Sequence, residues 1–153
     1  MPGLIDNRGL ALAGYSSFPK EKADVDGVVI AYKSFGTTGT AEAPYNGGRT
    51  ATHEIGHWLN LHHLWGDHDG NTSCTKAEDD LVDDTPRQKY PHMTCIPEQP
   101  LPTSCPNEPT GDMYMNYMDY PPDSCMSMFT VGQVARMRAT LQNVRIGFRS
   151  AGQ

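Results

Sequence analysis

The chain has little with which to build a large apolar core. Apolar and aromatic residues make up 37 % of its 153 positions, and its mean hydropathy is −0.55. No apolar run approaches the roughly 20 residues of a membrane-spanning helix, so no membrane partner is expected. Basic residues are outnumbered, 12 Lys and Arg against 18 Asp and Glu, for a net charge of −6. That balance argues against nucleic acid as a partner and suits bound cations and basic substrates. No two cysteines form a C-x-x-C pair, which removes the usual signature of a second zinc site or a thiol redox centre. There is no internal repeat and no low-complexity tail. Met1-Pro2-Gly3-Leu4 is not a secretory leader. An exported form would have shed one, or the chain is an excerpt of a longer precursor.

What is present is punctuation. Fifteen Gly and 12 Pro indicate many turns, and the length suits one compact domain, residues 1–153. A loop-rich domain of this kind needs covalent or metal staples. Cys74, Cys95, Cys105 and Cys125 are an even number in the second half, which predicts two disulfides and an oxidising compartment. Four cysteines allow three pairings, and spacing alone does not choose among them.

The richest stretch is His53-Glu54-Ile55-Gly56-His57-Trp58-Leu59-Asn60-Leu61-His62-His63. On a helix, His53 and His57 stand one turn apart on one face, where a single ion can touch both. Glu54 projects beside them. This is H-E-x-x-H, two zinc ligands and a general base. Asn60 is an ordinary place for a helix to stop and is among the few non-glycine residues that visit positive φ routinely. A turn there brings His63 back as the third ligand. His62 is one position out of register, and His68 and His92 sit in polar loops without an assigned role.

Along the chain, Leu10 to Tyr15 is a short apolar stretch, and Val28-Val29-Ile30-Ala31-Tyr32 reads as a strand. A helix is predicted from Arg49 to Asn60, with Ile55, Trp58 and Leu59 as its core face. From Leu64 to Pro122 there is almost no periodicity. Asp67-His68-Asp69-Gly70-Asn71 reads as a plain turn. Glu78 to Thr85 concentrates five carboxylates, which a hard cation would relieve. The last helix starts at Thr130, with Thr130 and Gln133 as a capping box and Phe129 as a staple. Val134, Met137 and Leu141 give it an apolar stripe.

The extended motif H-E-x-x-H-x-x-N-x-x-H resembles that of the metzincin metallopeptidases, with Asn60 where most have Gly. Downstream, Asn116-Tyr117-Met118-Asp119-Tyr120, then Asp123-Ser124-Cys125, with Val82-Asp83-Asp84-Thr85-Pro86 before them, resembles the pappalysin family of metzincins and its cytophagalysin- and ulilysin-like branch. The likeness covers about residues 10 to 141. It implies an α+β, zincin-like catalytic domain with a shortened N-terminal sheet, an active-site helix, a loop-rich disulfide-stapled C-terminal half and a C-terminal helix. The two subdomains would be residues 1–60 and 61–153. It implies Met118 as the Met-turn residue under the histidines and Tyr120 as a stabiliser of the oxyanion. It also implies the pairs Cys74–Cys105 and Cys95–Cys125. A calcium site would use the side chains of Asp80 and Thr85 and the carbonyls of Asp79 and Val82. Asp123 would line the pocket just past the scissile bond.

The resulting expectation is a secreted, monomeric zinc endopeptidase acting on proteins or peptides, cleaving on the N-terminal side of Arg or Lys. Zinc on His53, His57 and His63 and structural Ca2+ are its ions, and Glu54 its base. Two alternatives stand beside it: a non-catalytic zinc-binding fragment, and a thermolysin-like peptidase with Glu78 as third ligand.

Overall fold

In this computed structural model, residues 4–6, 8–9, 11–19, 24–67, 74–75, 78–96 and 100–148 are described. His68 and most of the turn that follows it lie outside them. Two compact units are formed: Met1–Asn60 with Met137–Gln153, and Leu61–Arg136.

In the first unit, strands β1 (Gly14–Ser16) and β2 (Val28–Ile30) pair antiparallel, with Tyr15 opposite Val29. The predicted strand was longer at its C-terminal end. Ala31 makes the last rung, its N–H donating to the Ala13 carbonyl at 2.8 Å. The chain then coils into a 3-10 turn, Tyr32–Ser34, instead of continuing extended. Helix α1 (Arg49–Trp58) packs against both strands. It stops where the sequence says it should: Asn60 takes φ 76°, and its N–H donates to the His57 carbonyl at 2.8 Å.

The face of α1 was predicted incorrectly in one respect. Ile55 is 46 % exposed, while Thr50, His53, Glu54, Gly56 and His57 are buried. The inward stripe of this helix is its polar one, so apolar residues could not reveal it. Gly14 permits that packing, because a Cβ there would lie 2.9 Å from both Cγ and Oε1 of Glu54. At the other end of α1, Arg145 donates from Nε to the Trp58 carbonyl at 2.7 Å and from one terminal nitrogen to both oxygens of Asp26, at 2.8 and 2.6 Å. Its guanidinium lies 3.8 Å over the Trp58 ring, and the Trp58 indole N–H donates to Asp26 at 3.0 Å. A cation at a helix C-terminus complements the carbonyls exposed there.

The second unit has few regular elements. Its buried apolar residues include Leu61, Leu64, Trp65, Val82, Met118 and Met126. Beside them Gln88, Asp112, Asn116, Asp119 and Gln133 are fully buried, so much of this core is polar and must be satisfied internally. Disulfides join Cys74 to Cys105 and Cys95 to Cys125, with Cα atoms 5.6 and 5.7 Å apart. Helix α2 (Val131–Asn143) opens on the predicted capping box. The Gln133 N–H donates to Thr130 Oγ1 at 3.1 Å, and the Thr130 N–H donates to Gln133 Oε1 at 2.9 Å. Gln133 also holds Asn116 through two amide hydrogen bonds, at 2.8 and 3.1 Å. The start of α2 therefore fixes the turn that carries Met118, whose N–H donates to Asn116 at 2.9 Å.

Candidate active site

The first two histidines are positioned by helical repeat alone. His53 and His57 are buried on α1, and their Nε2 atoms lie 3.1 Å apart. Two corners of a tetrahedral zinc site are about 3.3 Å apart for Zn–N bonds near 2 Å. Phe18 packs tilted against the His57 ring at 5.4 Å. His63 follows the left-handed turn at Asn60. Ligand atoms of His53, His57 and His63 all lie within 4.8 Å of one another, and among the described residues this is the group of three His, Cys, Asp or Glu side chains placed to hold a metal. Three imidazoles suit zinc or a similar borderline ion. Glu78 is not part of the group.

Glu54 is 6 % exposed, and burial pushes its carboxyl up to about 7. The Tyr120 hydroxyl lies 2.9 Å from His63 Nε2. Met118 is fully buried, and Asp123, which an exposed turn would leave in solvent, is 4 % exposed.

The acidic loop has the character of an oxygen site. Thr85 Oγ1 lies 2.8 Å from Asp80 Oδ1 and 2.7 Å from the Val82 carbonyl oxygen, so three of the expected donors converge. Asp79 Oδ1 instead accepts the Leu81 N–H at 2.7 Å, which leaves its carbonyl for the expected role. The second oxygen of Asp80 is buried without a hydrogen-bond partner, and burial pushes this carboxyl up to about 7. A hard cation is the partner such an orphaned oxygen suits, so the residues fit calcium.

Three residues escaped the sequence reading. Asp67 accepts from both neighbouring imidazoles: one oxygen meets His62 Nδ1 and the other lies 3.0 Å from His63 Nδ1. Burial opposes its ionisation, but the two histidines hold its carboxyl well below the usual range. Trp65 stacks on His63 with ring centroids 4.5 Å apart. His92, read as a residue of a polar loop, is 9 % exposed and lies between Asp119 and Asp112, at 2.8 and 3.4 Å. Its loop is polar in sequence yet buried, because two carboxylates wait for it.

The chain is similar to known proteins over most of its length. The peptidase M43 profile, described as pregnancy-associated plasma protein-A, matches residues 2–142. An extracellular metalloprotease of Arthroderma benhamiae is 37 % identical over 141 residues, covering 89 % of this chain and 45 % of that protein. One of Pyricularia oryzae is 39 % identical over 140 residues, covering 89 % and 46 %. The chain thus spans about half the length of the curated relatives it matches. Mature mirolysin of Tannerella forsythia, solved with a cleaved peptide, superposes with a TM-score of 0.77 at 51 % identity, over 87 % of this chain and 48 % of that one. A promirolysin mutant gives 0.77 at 50 %, over 88 % and 43 %. The fold is the mirolysin-like metzincin fold, and this chain carries two disulfides in it. From the profile match along nearly its whole length and the shared fold, it follows that this chain belongs to the pappalysins, the pregnancy-associated plasma protein-A family of M43 peptidases.

Proposed function

We propose that this chain is the catalytic domain of a secreted, monomeric zinc metalloendopeptidase, with residues 1–153 acting as one domain. The observation that carries the reading is the group of three imidazoles with Glu54 buried beside it. The relatives named extracellular metalloproteases support both the activity and the location, and mirolysin with its cleaved peptide supports a peptide substrate. No helix among the described residues is long and apolar enough to cross a membrane.

His53, His57 and His63 would hold the ion. Zinc bound there supplies a Lewis acid that polarises a carbonyl and makes water more acidic. Glu54 takes a proton from the attacking water and delivers it to the leaving amine. The Tyr120 hydroxyl donates to the developing oxyanion, and Met118 gives the histidines an apolar floor. Asp80 and Thr85, with the carbonyls of Asp79 and Val82, bind a structural calcium. Asp123 lies on the floor of the pocket for the residue after the cut and selects Arg, then Lys.

The test is Glu54→Ala. It should take up zinc like the wild type, because the ligands are intact, and lose on the order of 10²–10⁴-fold or more in turnover of a peptide substrate. Wild-type turnover in the zinc-loaded variant would refute the role. A wild type that binds zinc but cleaves no peptide would favour the non-catalytic alternative.

A further inference from the structure

His53 and His57 have their backbones fixed by α1. His63 does not: it lies on an irregular segment beyond Asn60, so the orientation of its ring must come from side chains. Three of them supply it. Trp65 lies under the ring with planes 4° apart. Asp67 Oδ1 lies 3.0 Å from Nδ1 and also accepts the His63 backbone N–H at 3.4 Å. Tyr120 meets Nε2 through its hydroxyl at 2.9 Å, and its ring stands edge-on to Trp65 at 4.9 Å. Residues 63, 65 and 67 alternate along the chain, and Trp65 is 3 % exposed.

An ionised carboxylate only accepts hydrogen bonds. With Asp67 at Nδ1, the single proton of neutral His63 sits on Nδ1, and the lone pair sits on Nε2. Nε2 is the atom that faces Tyr120, and it is also Nε2 that the other two histidines turn toward each other. A metal-ligating imidazole whose other nitrogen donates to a carboxylate is held in one tautomer and one plane, and is a stronger donor for it. We infer that Asp67, with Trp65 beneath the ring, is the positioning residue that fixes the tautomer and plane of His63 as third metal ligand. The inference rests on the zinc-peptidase reading for the word ligand, but not for the tautomer. Asp67 also accepts from His62, so the competing role is a brace of the turn acting through His62.

Two measurements decide it. In zinc-free wild type labelled with 15N at histidine, side-chain shifts above pH 7.5 should report His63 as the Nδ1–H tautomer. The Nε2–H tautomer would overturn the proposal, and this experiment needs no variant to fold. Zinc affinity is then read by competition with a chromogenic chelator. Asp67→Ala should bind 10–100-fold more weakly. Asp67→Asn keeps an acceptor and should lose less, which provides a second variant if the alanine form does not fold. His62→Ala should stay within about twofold of wild type. A folded Asp67→Ala with wild-type affinity, or an equal loss in His62→Ala, overturns the positioning role. If the wild type itself takes up no zinc, the peptidase reading fails, and the tautomer measurement still decides whether Asp67 sets the ring.

Discussion

His92 Nδ1 lies 2.8 Å from Asp119 Oδ2, one residue from each of Met118 and Tyr120 in the chain. The contact belongs to a buried network. The His92 N–H donates to Asp119 Oδ1 at 2.9 Å, Gln88 donates to Asp119 Oδ2 at 2.9 Å, and Asp119 Oδ1 accepts the Tyr120 N–H at 2.8 Å. On the far side of the ring, Asp112 lies 3.4 Å from Nε2 and accepts the Ser104 N–H at 3.1 Å. The turn carrying Met118 and Tyr120 is thus held on one side by Gln133 and on the other by His92.

This network makes stability depend on pH. Burial alone would lower the His92 pKa, but hydrogen bonds to Asp112 and Asp119 raise it from 6.5 to about 9. The native state therefore binds more protons than the unfolded chain between those values, and stability falls as pH rises through that window. The contribution is complete below pH 6.5 and lost above about 9, with an upper size of about 3 kcal/mol. Urea unfolding across this range should give a declining stability for wild type. His92→Gln should be less stable at pH 6 and approach wild type near pH 10. A parallel decline in both proteins would assign the effect elsewhere.

The helix carrying His53 and His57, its stop at Asn60 and the capping box at Thr130 were legible because each is a local pattern spanning at most a few turns. The rest was not, because its logic is long-range or inverted. Asp26 meets Arg145 across 119 residues, and His92 meets Asp119 across 27. No spacing rule links such pairs. Ile55 was misplaced because an apolar residue next to a functional face is indistinguishable from a core residue when the true inward face is polar. Asp67 was hidden by its neighbours, since an Asp before His68-Asp69-Gly70-Asn71 reads as turn chemistry.

The ligand set predicts a clear ranking. His63→Ala should lose most zinc affinity. Glu78→Ala should retain it, since Glu78 is outside the three-histidine group. Isothermal titration of the three proteins checks this. Equal loss in Glu78→Ala would revive the thermolysin-like ligand set.

The second unit should depend on its staples. Each disulfide closes a loop of about thirty residues and should contribute about 2–4 kcal/mol, so reductant should lower the melting temperature. The proposed calcium would act through Asp80. Without a cation, burial raises the Asp80 pKa from 3.8 to about 7. The native state then holds the extra proton in that window, and stability falls as pH rises across it. Calcium should remove that decline and raise the melting temperature at pH 7. In Asp80→Asn both effects should vanish. A wild type whose melting is unchanged by a calcium-selective chelator would rule the site out.

Specificity gives the most exacting prediction. Asp123 is 4 % exposed, although it sits in a Pro121-Pro122-Asp123-Ser124 turn, where an aspartate ordinarily caps and meets water. The next residue is Cys125, bonded to Cys95, and the Asp123 carbonyl accepts the Met126 N–H at 3.3 Å, so the turn is pinned after the carboxylate. A buried carboxylate facing a substrate pocket discriminates by charge. Arg can pair with it through two hydrogen bonds, Lys through one. An apolar side chain offers the carboxylate neither a charge nor a hydrogen bond. Digestion of a peptide library by wild type should therefore place Arg, and less often Lys, immediately after the cut. In Asp123→Ala that preference should fade, while kcat on neutral substrates falls far less than kcat/KM on basic ones. Cleavage before Leu or Phe by the wild type would reject this pocket assignment and leave the peptidase assignment standing, because Glu54 and the three histidines do not depend on it.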